Sequence, residues 1–275
     1  MRFEDSPVPK QIQIEITTRC NYACVMCPHG LGGNTFVKRD APIEIVDRVI
    51  DMIDRVDSLH PTGLGEPLMA DGFWKIVDAL AGRQKPSLTF HTNGLLLTPA
   101  NIERILKAPV AHIVLSMDAA SPRRYARIRG GNFPRIIENA ERLARRAREL
   151  DKTMMLQLAM VLMVENYFEA ADFVRLAKDI GFNVVSFDHL MNPSVPEGAW
   201  QVSKQTFAFD YHKQRILPGT PHAQGADRAV LEALDVADRL GIQVGGLGLF
   251  AELDAAAYND RPSRRYASPH YSGTA

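Results

Sequence analysis

Six times between residues 12 and 240 a short β-rich run gives way to an amphipathic helical run, and this alternation constrains the fold more than any other feature of the chain. Residues 12–17 alternate apolar and polar side chains, as a half-exposed strand does. From Pro42 onward Ile43, Val46, Val49, Ile50 and Ile53 recur at helical spacing. Strand-like runs follow at 58–64, 87–91, 111–117, 154–163 and 184–189, and helical runs at 72–80, 99–107, 134–150, 167–180 and 226–240. Regular alternation of this kind implies a parallel sheet with right-handed crossovers. Eight such units close a barrel, and this chain has room for about six. The expected fold is therefore α/β, a partial (β/α)6 TIM-like barrel with a short C-terminal extension. Residues 1–190 are expected to form the core, 191–257 a lid-like connection and the final helix and strand, and 258–275 a disordered tail without apolar pattern. In such sheets chemistry gathers at the C-terminal ends of the strands.

The loop after the first strand holds all 3 cysteines of the chain, Cys20-Asn-Tyr-Ala-Cys24-Val-Met-Cys27. Thiolates are soft ligands that suit iron–sulfur clusters and zinc. Three of them leave one coordination position without a protein cysteine, and a site that does chemistry keeps a position open. A zinc knuckle with His29 as fourth ligand is the structural alternative. Clustered, odd-numbered cysteines argue against an oxidising compartment, and the N-terminus lacks an apolar signal core, so the expected location is cytoplasmic. Lys plus Arg equal Asp plus Glu at 32 each, which leaves no bulk field to recruit nucleic acid or an anionic membrane. The longest apolar stretch, 154–164, is interrupted by Gln157 and is too short to span a bilayer.

The motifs at the other strand ends follow the cysteine loop in order. Gly63-Leu64-Gly65-Glu66-Pro67 ends the second unit's strand, and exposed carbonyls of a glycine-rich turn beside a carboxylate suit a cation. His91-Thr92-Asn93-Gly94 ends the third, Ser116-Met117-Asp118 the fourth, and Arg127-Ile128-Arg129-Gly130-Gly131 comes after it. Taken singly, each has a bland reading as a turn, a helix cap or an exposed arginine. Together with the Cys-x3-Cys-x2-Cys loop they resemble the radical S-adenosylmethionine (radical SAM) superfamily, and its SPASM-type branch in particular, over roughly residues 10–190.

That resemblance implies a 4Fe-4S cluster on Cys20, Cys24 and Cys27, with S-adenosylmethionine on its unique iron. It implies that Gly63, Gly65, Glu66 and Pro67 contact the methionyl ammonium and that Met26, where the family usually has an aromatic residue, lies near the adenine. Thr92, Asn93, Ser116 and Asp118 fall on further cofactor-binding turns, and Arg129 is a candidate for the cofactor carboxylate. One electron from a donor such as flavodoxin or ferredoxin would cleave S-adenosylmethionine, and the resulting radical would abstract a substrate hydrogen. His189 and Tyr211 are candidates for substrate contact or catalysis. The segment 192–225, rich in Pro, Gly and polar residues, would serve as a lid. The arginines 142, 145, 146 and 148 read as a solvated helix face.

SPASM-type relatives carry further C-terminal cysteines for auxiliary clusters, and this chain has none. Their absence disfavours oxidations that hand the substrate electron to a second cluster, and epimerisation quenched by a cysteine thiol. Dehydration, decarboxylation or a related rearrangement remains. The leading substrate expectation is a sugar- or nucleoside-like natural product, with a ribosomal peptide as the alternative. Two other readings are a non-catalytic iron–sulfur or zinc scaffold, and a longer enzyme whose auxiliary cysteines lie beyond Ala275.

Overall fold

The structure is a computed structural model that describes residues 9–27, 29, 37–190, 209–246 and 261–264. Its contacts divide the chain into two compact units that interleave along the sequence, so that residue 190 falls inside the second. Cys20 belongs to the first unit, Cys24 and Cys27 to the second.

The first unit comprises Met1–Ala23, Asn34–Leu115 and Arg135–Met155. It contains β1 (Gln11–Ile14), α1 (Ile43–Asp51), β2 (Ser58–Pro61), α2 (Asp71–Leu80), β3 (Ser87–Thr92), α3 (Pro99–Ile105), nearly all of β4 (Val110–Ser116) and most of a long helix, Phe133–Glu149. Strands β1 to β4 pair in parallel and in sequence order. Leu59, Leu88 and Phe90 of these strands are buried with Phe73, Ile76 and Leu80 of α2, and Phe73 meets Phe90 edge-on at 5.0 Å. Aromatic burial of this kind supplies much of a small core's stability. Of the α1 stripe, Val46, Val49 and Ile53 are buried, but Ile43 in the first turn is 45% exposed and takes no part in the core. Arg142 pairs with Glu138, and Arg146 with Glu103 and Glu149, as a solvated helix face does.

The second unit comprises Cys24–Gly33, Ser116–Pro134 and Leu156–Ala275. Its first helix is α4 (Pro122–Arg129), which the count of strand and helix units did not include; Pro122 at its first position and left-handed Gly130 after its last are ordinary start and stop signals. The long helix Phe133–Glu149 is α5. Strand β5 (Met155–Leu162) pairs in parallel with β6 (Val184–His189), and β6 with β7 (Gln243–Gly246). Between them run α6 (Ala170–Asp179), the short α7 (Tyr211–Gln214) and α8 (Ala223–Leu240). Helices α6 and α8 bury small side chains, among them Ala170, Ala177, Ala226, Ala233 and Ala237, which allow close packing.

Parallel strands alternating with helices make this an α/β fold of the partial TIM-like barrel class, with a seventh strand where six were counted. The expected lid of 192–225 lies partly outside the described residues; 209–225 contain α7 and the start of α8. Of the tail 258–275 only 261–264 are described, and they are held: Ser263 N donates to Asp238 Oδ1 at 2.8 Å and Arg264 to the Gly246 carbonyl at 3.0 Å. No helix among the described residues is long and apolar enough to cross a membrane.

Candidate active site

In the first unit the approach to Cys20 is built by backbone contact. Arg19 grips Asp40 with two hydrogen bonds, Nε to Oδ1 at 2.8 Å and Nη2 to Oδ2 at 2.6 Å, and Thr17 Oγ1 adds a third at 2.6 Å. The Arg19 bond holds the Asp40 carboxyl below the usual carboxylate range, against the opposing effect of burial. The turn after β2 lies against this segment, with Gly65 N donating to Thr17 O at 3.2 Å and Glu66 N to Arg19 O at 2.8 Å. A Cβ on Gly65 would stand 2.4 Å from Thr17 O and 2.5 Å from Arg19 O, so no other residue fits there.

Glu66 is 2% exposed, and its carboxylate joins two turns. Oε1 accepts from Thr92 Oγ1 at 2.8 Å and Oε2 from Asn93 N at 2.7 Å. It also accepts from Leu68 N at 3.3 Å, which caps the short helix Pro67–Met69. Asn93 Nδ2 in turn donates to Asn21 Oδ1 at 2.6 Å and lies 3.9 Å from Cys20 Sγ. Gly94 follows with φ +81, and Asn139 of α5 donates to its carbonyl at 2.9 Å.

In the second unit a buried ion pair does the equivalent work. Asp118 is 1% exposed and adopts φ +59, a left-handed conformation that costs a non-glycine residue about 1 kcal/mol or more. Its Oδ2 accepts from Arg129 Nε at 2.7 Å and Nη2 at 2.6 Å, and Oδ1 from Val161 N at 2.7 Å. Its carbonyl accepts from Asn166 Nδ2 at 2.9 Å. Burial works against the Arg129 charge, yet Asp118, Cys24 and Tyr125 outweigh it and raise its pKa above the usual guanidinium value. The cysteine loop is tied to the same helix, because Val25 N donates to Ile128 O at 2.9 Å. Met26 packs with Val25, Phe209 and Tyr211 against Ile128, Met163 and Leu190.

The radical SAM superfamily model matches residues 14–177, well over half of the chain. The chain belongs to the radical SAM superfamily. Its cofactors are those of the family, a 4Fe-4S cluster and S-adenosylmethionine. The chain is 31% identical over 158 residues to the mycofactocin maturase MftC of Mycobacterium tuberculosis, a match covering 50% of this chain and 39% of that protein. It is 28% identical over 207 residues to GTP 3',8-cyclase of Petrotoga mobilis, covering 71% of this chain and 61% of that protein. Among solved structures, Streptococcus suis SuiB bound to its precursor peptide SuiA superposes with a TM-score of 0.62 at 17% identity, over 92% of this chain and 52% of that one. The chain thus spans less than two thirds of each.

The donor chemistry fits the radical SAM cofactors. All three cysteines lie on one loop outside any disulfide, and Cys20 and Cys27 are partly exposed. Among the described residues no three His, Cys, Asp or Glu side chains are gathered closely enough to hold a metal. Of the other radical SAM positions expected from sequence, Glu66, Thr92 and Asn93 are brought together, as are Asp118 and Arg129. Ser116 ends β4, half-buried. The Tyr211 hydroxyl donates to the Met26 carbonyl, and its pKa is pushed up to about 12, first by burial and then by the charge of Cys27. His189 ends β6, its pKa lowered by burial and by Arg215. Sequence reasoning missed Asp188 beside it, whose pKa burial raises. Its signal was its place at a strand end. A cavity of about 440 Å3 between α3 and α5 lies on the helical side, lined by the paired Glu103, Arg146 and Glu149.

Proposed function

We propose that this chain is a radical SAM enzyme that uses one 4Fe-4S cluster to act on a polar small molecule of the sugar or nucleoside type, by dehydration, decarboxylation or a related rearrangement. The carrying observation is that Asp188 stands at the C-terminal end of β6, where this fold class meets substrate, bonded back along the sheet through Ser186 to Gln157. Similarity to a GTP 3',8-cyclase supports a nucleoside-like substrate. Similarity to mycofactocin maturase favours a second reading, modification of a ribosomal peptide.

Cys20, Cys24 and Cys27 would hold the cluster. The chemistry supplied there is one-electron reductive cleavage of S-adenosylmethionine, followed by abstraction of a substrate hydrogen. Around it the protein positions and shields. Asn93 Nδ2 donates to Cys20 Sγ and, with the cluster bound, would favour its reduced state. Asp118 fixes the plane of Arg129, and this buried cation would offer an anionic cofactor group a pre-oriented partner. Tyr211 pins the backbone of the cysteine loop at Met26. A cytoplasmic setting keeps the thiols reduced, and a flavodoxin or ferredoxin supplies the electron.

Anaerobic reconstitution followed by dithionite and S-adenosylmethionine tests this reading. Wild type should bind iron and sulfide and release 5′-deoxyadenosine, and Cys24→Ala should reduce that release to background. Zinc in place of iron, with no cleavage under reduction, would identify a non-catalytic scaffold.

A further inference from the structure

Along β5 and β6 one face carries a buried apolar set, and the other mixes apolar with polar side chains. Leu156, Leu158, Met160 and Leu162 are buried, as are Val185 and Phe187. On the opposite face, register sets Gln157 beside Val184, Ala159 beside Ser186 and Val161 beside Asp188. Residues of one register row in a parallel pair share a face of the sheet. The polar members are bonded in series: Gln157 Nε2 donates to Ser186 Oγ at 2.7 Å, and Ser186 Oγ to Asp188 Oδ2 at 3.1 Å. Ser186 is 3% exposed, so this contact is fixed, while Asp188 reaches the surface at the end of the strand.

Among the described residues nothing donates to the second oxygen of Asp188, and the neighbouring strand keeps a side chain away from it. Gly246 of β7 has φ +76, and a Cβ there would stand 3.2 Å from Asp188 Oδ1 and 2.5 Å from Phe187 O. Burial raises the Asp188 pKa; the Ser186 bond opposes this, and the negative charge of Asp118 adds to it. Among the described residues no cationic side chain is paired with Asp188. A carboxylate fixed on one oxygen and without a donor on the other gains from an incoming cation.

We propose that Asp188 is a specificity-determining residue of this site, receiving a cationic nitrogen of the substrate at the clear oxygen left by Gly246. This rests on the reading of the strand ends as the substrate side of a radical enzyme. The cation is an ammonium or guanidinium group, carried by an amino sugar or by a basic peptide side chain. The Ser186–Gln157 series fixes the carboxylate so that the substrate is held in one orientation.

Calorimetric titration of the reconstituted, S-adenosylmethionine-loaded protein with matched pairs tests the proposal: glucosamine against glucose, and Nα-acetyl-lysine amide against Nα-acetyl-norleucine amide. At least one cationic member should bind, about tenfold or more tightly than its neutral partner. Asp188→Asn should erase that preference, and Asp188→Glu, which keeps the charge, should retain part of it. A response confined to glucosamine identifies an amino sugar, and one confined to the lysine amide a basic peptide. The proposal is overturned if neither cation binds, if the neutral partners bind equally well, or if a folded Asp188→Asn protein keeps the preference. The wild-type pairs alone decide if that variant does not fold. Wild-type 5′-deoxyadenosine release is measured alongside. Its absence with intact cation preference defeats the radical reading alone, and its presence without that preference defeats this inference alone.

Discussion

The two units hold their parts of the cysteine loop by different physics. In the first, the segment before Cys20 is pressed against the Gly65-Glu66 turn, and one buried carboxylate is divided among a hydroxyl and two backbone amides. In the second, a buried Asp118–Arg129 pair stands on a left-handed backbone, and an aromatic hydroxyl reaches the loop from α7. The first arrangement depends on close approach and many modest bonds. The second concentrates its stability in one charged pair, where removal of either partner leaves a buried charge uncompensated. Distributed contacts should fail gradually, and a concentrated pair all at once.

The largest effect is therefore expected in the second unit. Asp118→Ala strands the Arg129 guanidinium and should cost about 3 to 5 kcal/mol in urea unfolding. A loss under about 1 kcal/mol would erase the contrast between the units. Gly65→Ala should cost less, about 1 to 3 kcal/mol, because backbone at Thr17 and Arg19 can retreat only slightly from the new Cβ. Its sharper signature is iron content after reconstitution, which should fall as Cys20 shifts. Tyr211→Phe is the mildest, about 1 kcal/mol, from one hydrogen bond to Met26. Here pH gives a second readout. The folded pKa of about 12 lies above the unfolded value near 10, so this stabilisation is complete below about pH 10 and lost as pH rises toward 12. Ultraviolet titration should show a late tyrosine that Tyr211→Phe removes.

How far each part was legible in sequence follows the same division. The turns that carry Cys20, Gly65, Glu66, Thr92 and Asn93 were legible as turns following strands, because turn chemistry is local. That Glu66 spends its oxygens on Thr92 and Asn93 was not readable, since nothing local records a partner 26 or 27 positions away. In the second unit the distances are longer. Met26 and Tyr211 are 185 positions apart, and Asp118 meets Val161 across 43. Helix α4 was missed because its exposed face of arginines masks a short apolar stripe, Tyr125 and Ile128. Asp188 was passed over for His189 because histidine titrates near neutrality by default, whereas the burial that alters a carboxylate is visible only once the strands are paired.

The backbone of Asp118 carries a warning for anyone engineering this protein. A routine search for stabilising substitutions flags non-glycine residues with positive φ and replaces them with glycine, expecting the chain to relax. Here that choice would ease one residue and delete the anion that keeps a buried guanidinium oriented, and the redesigned protein would lose through Arg129 more than it gained through its backbone. At this position discomfort in the main chain marks a residue to leave alone.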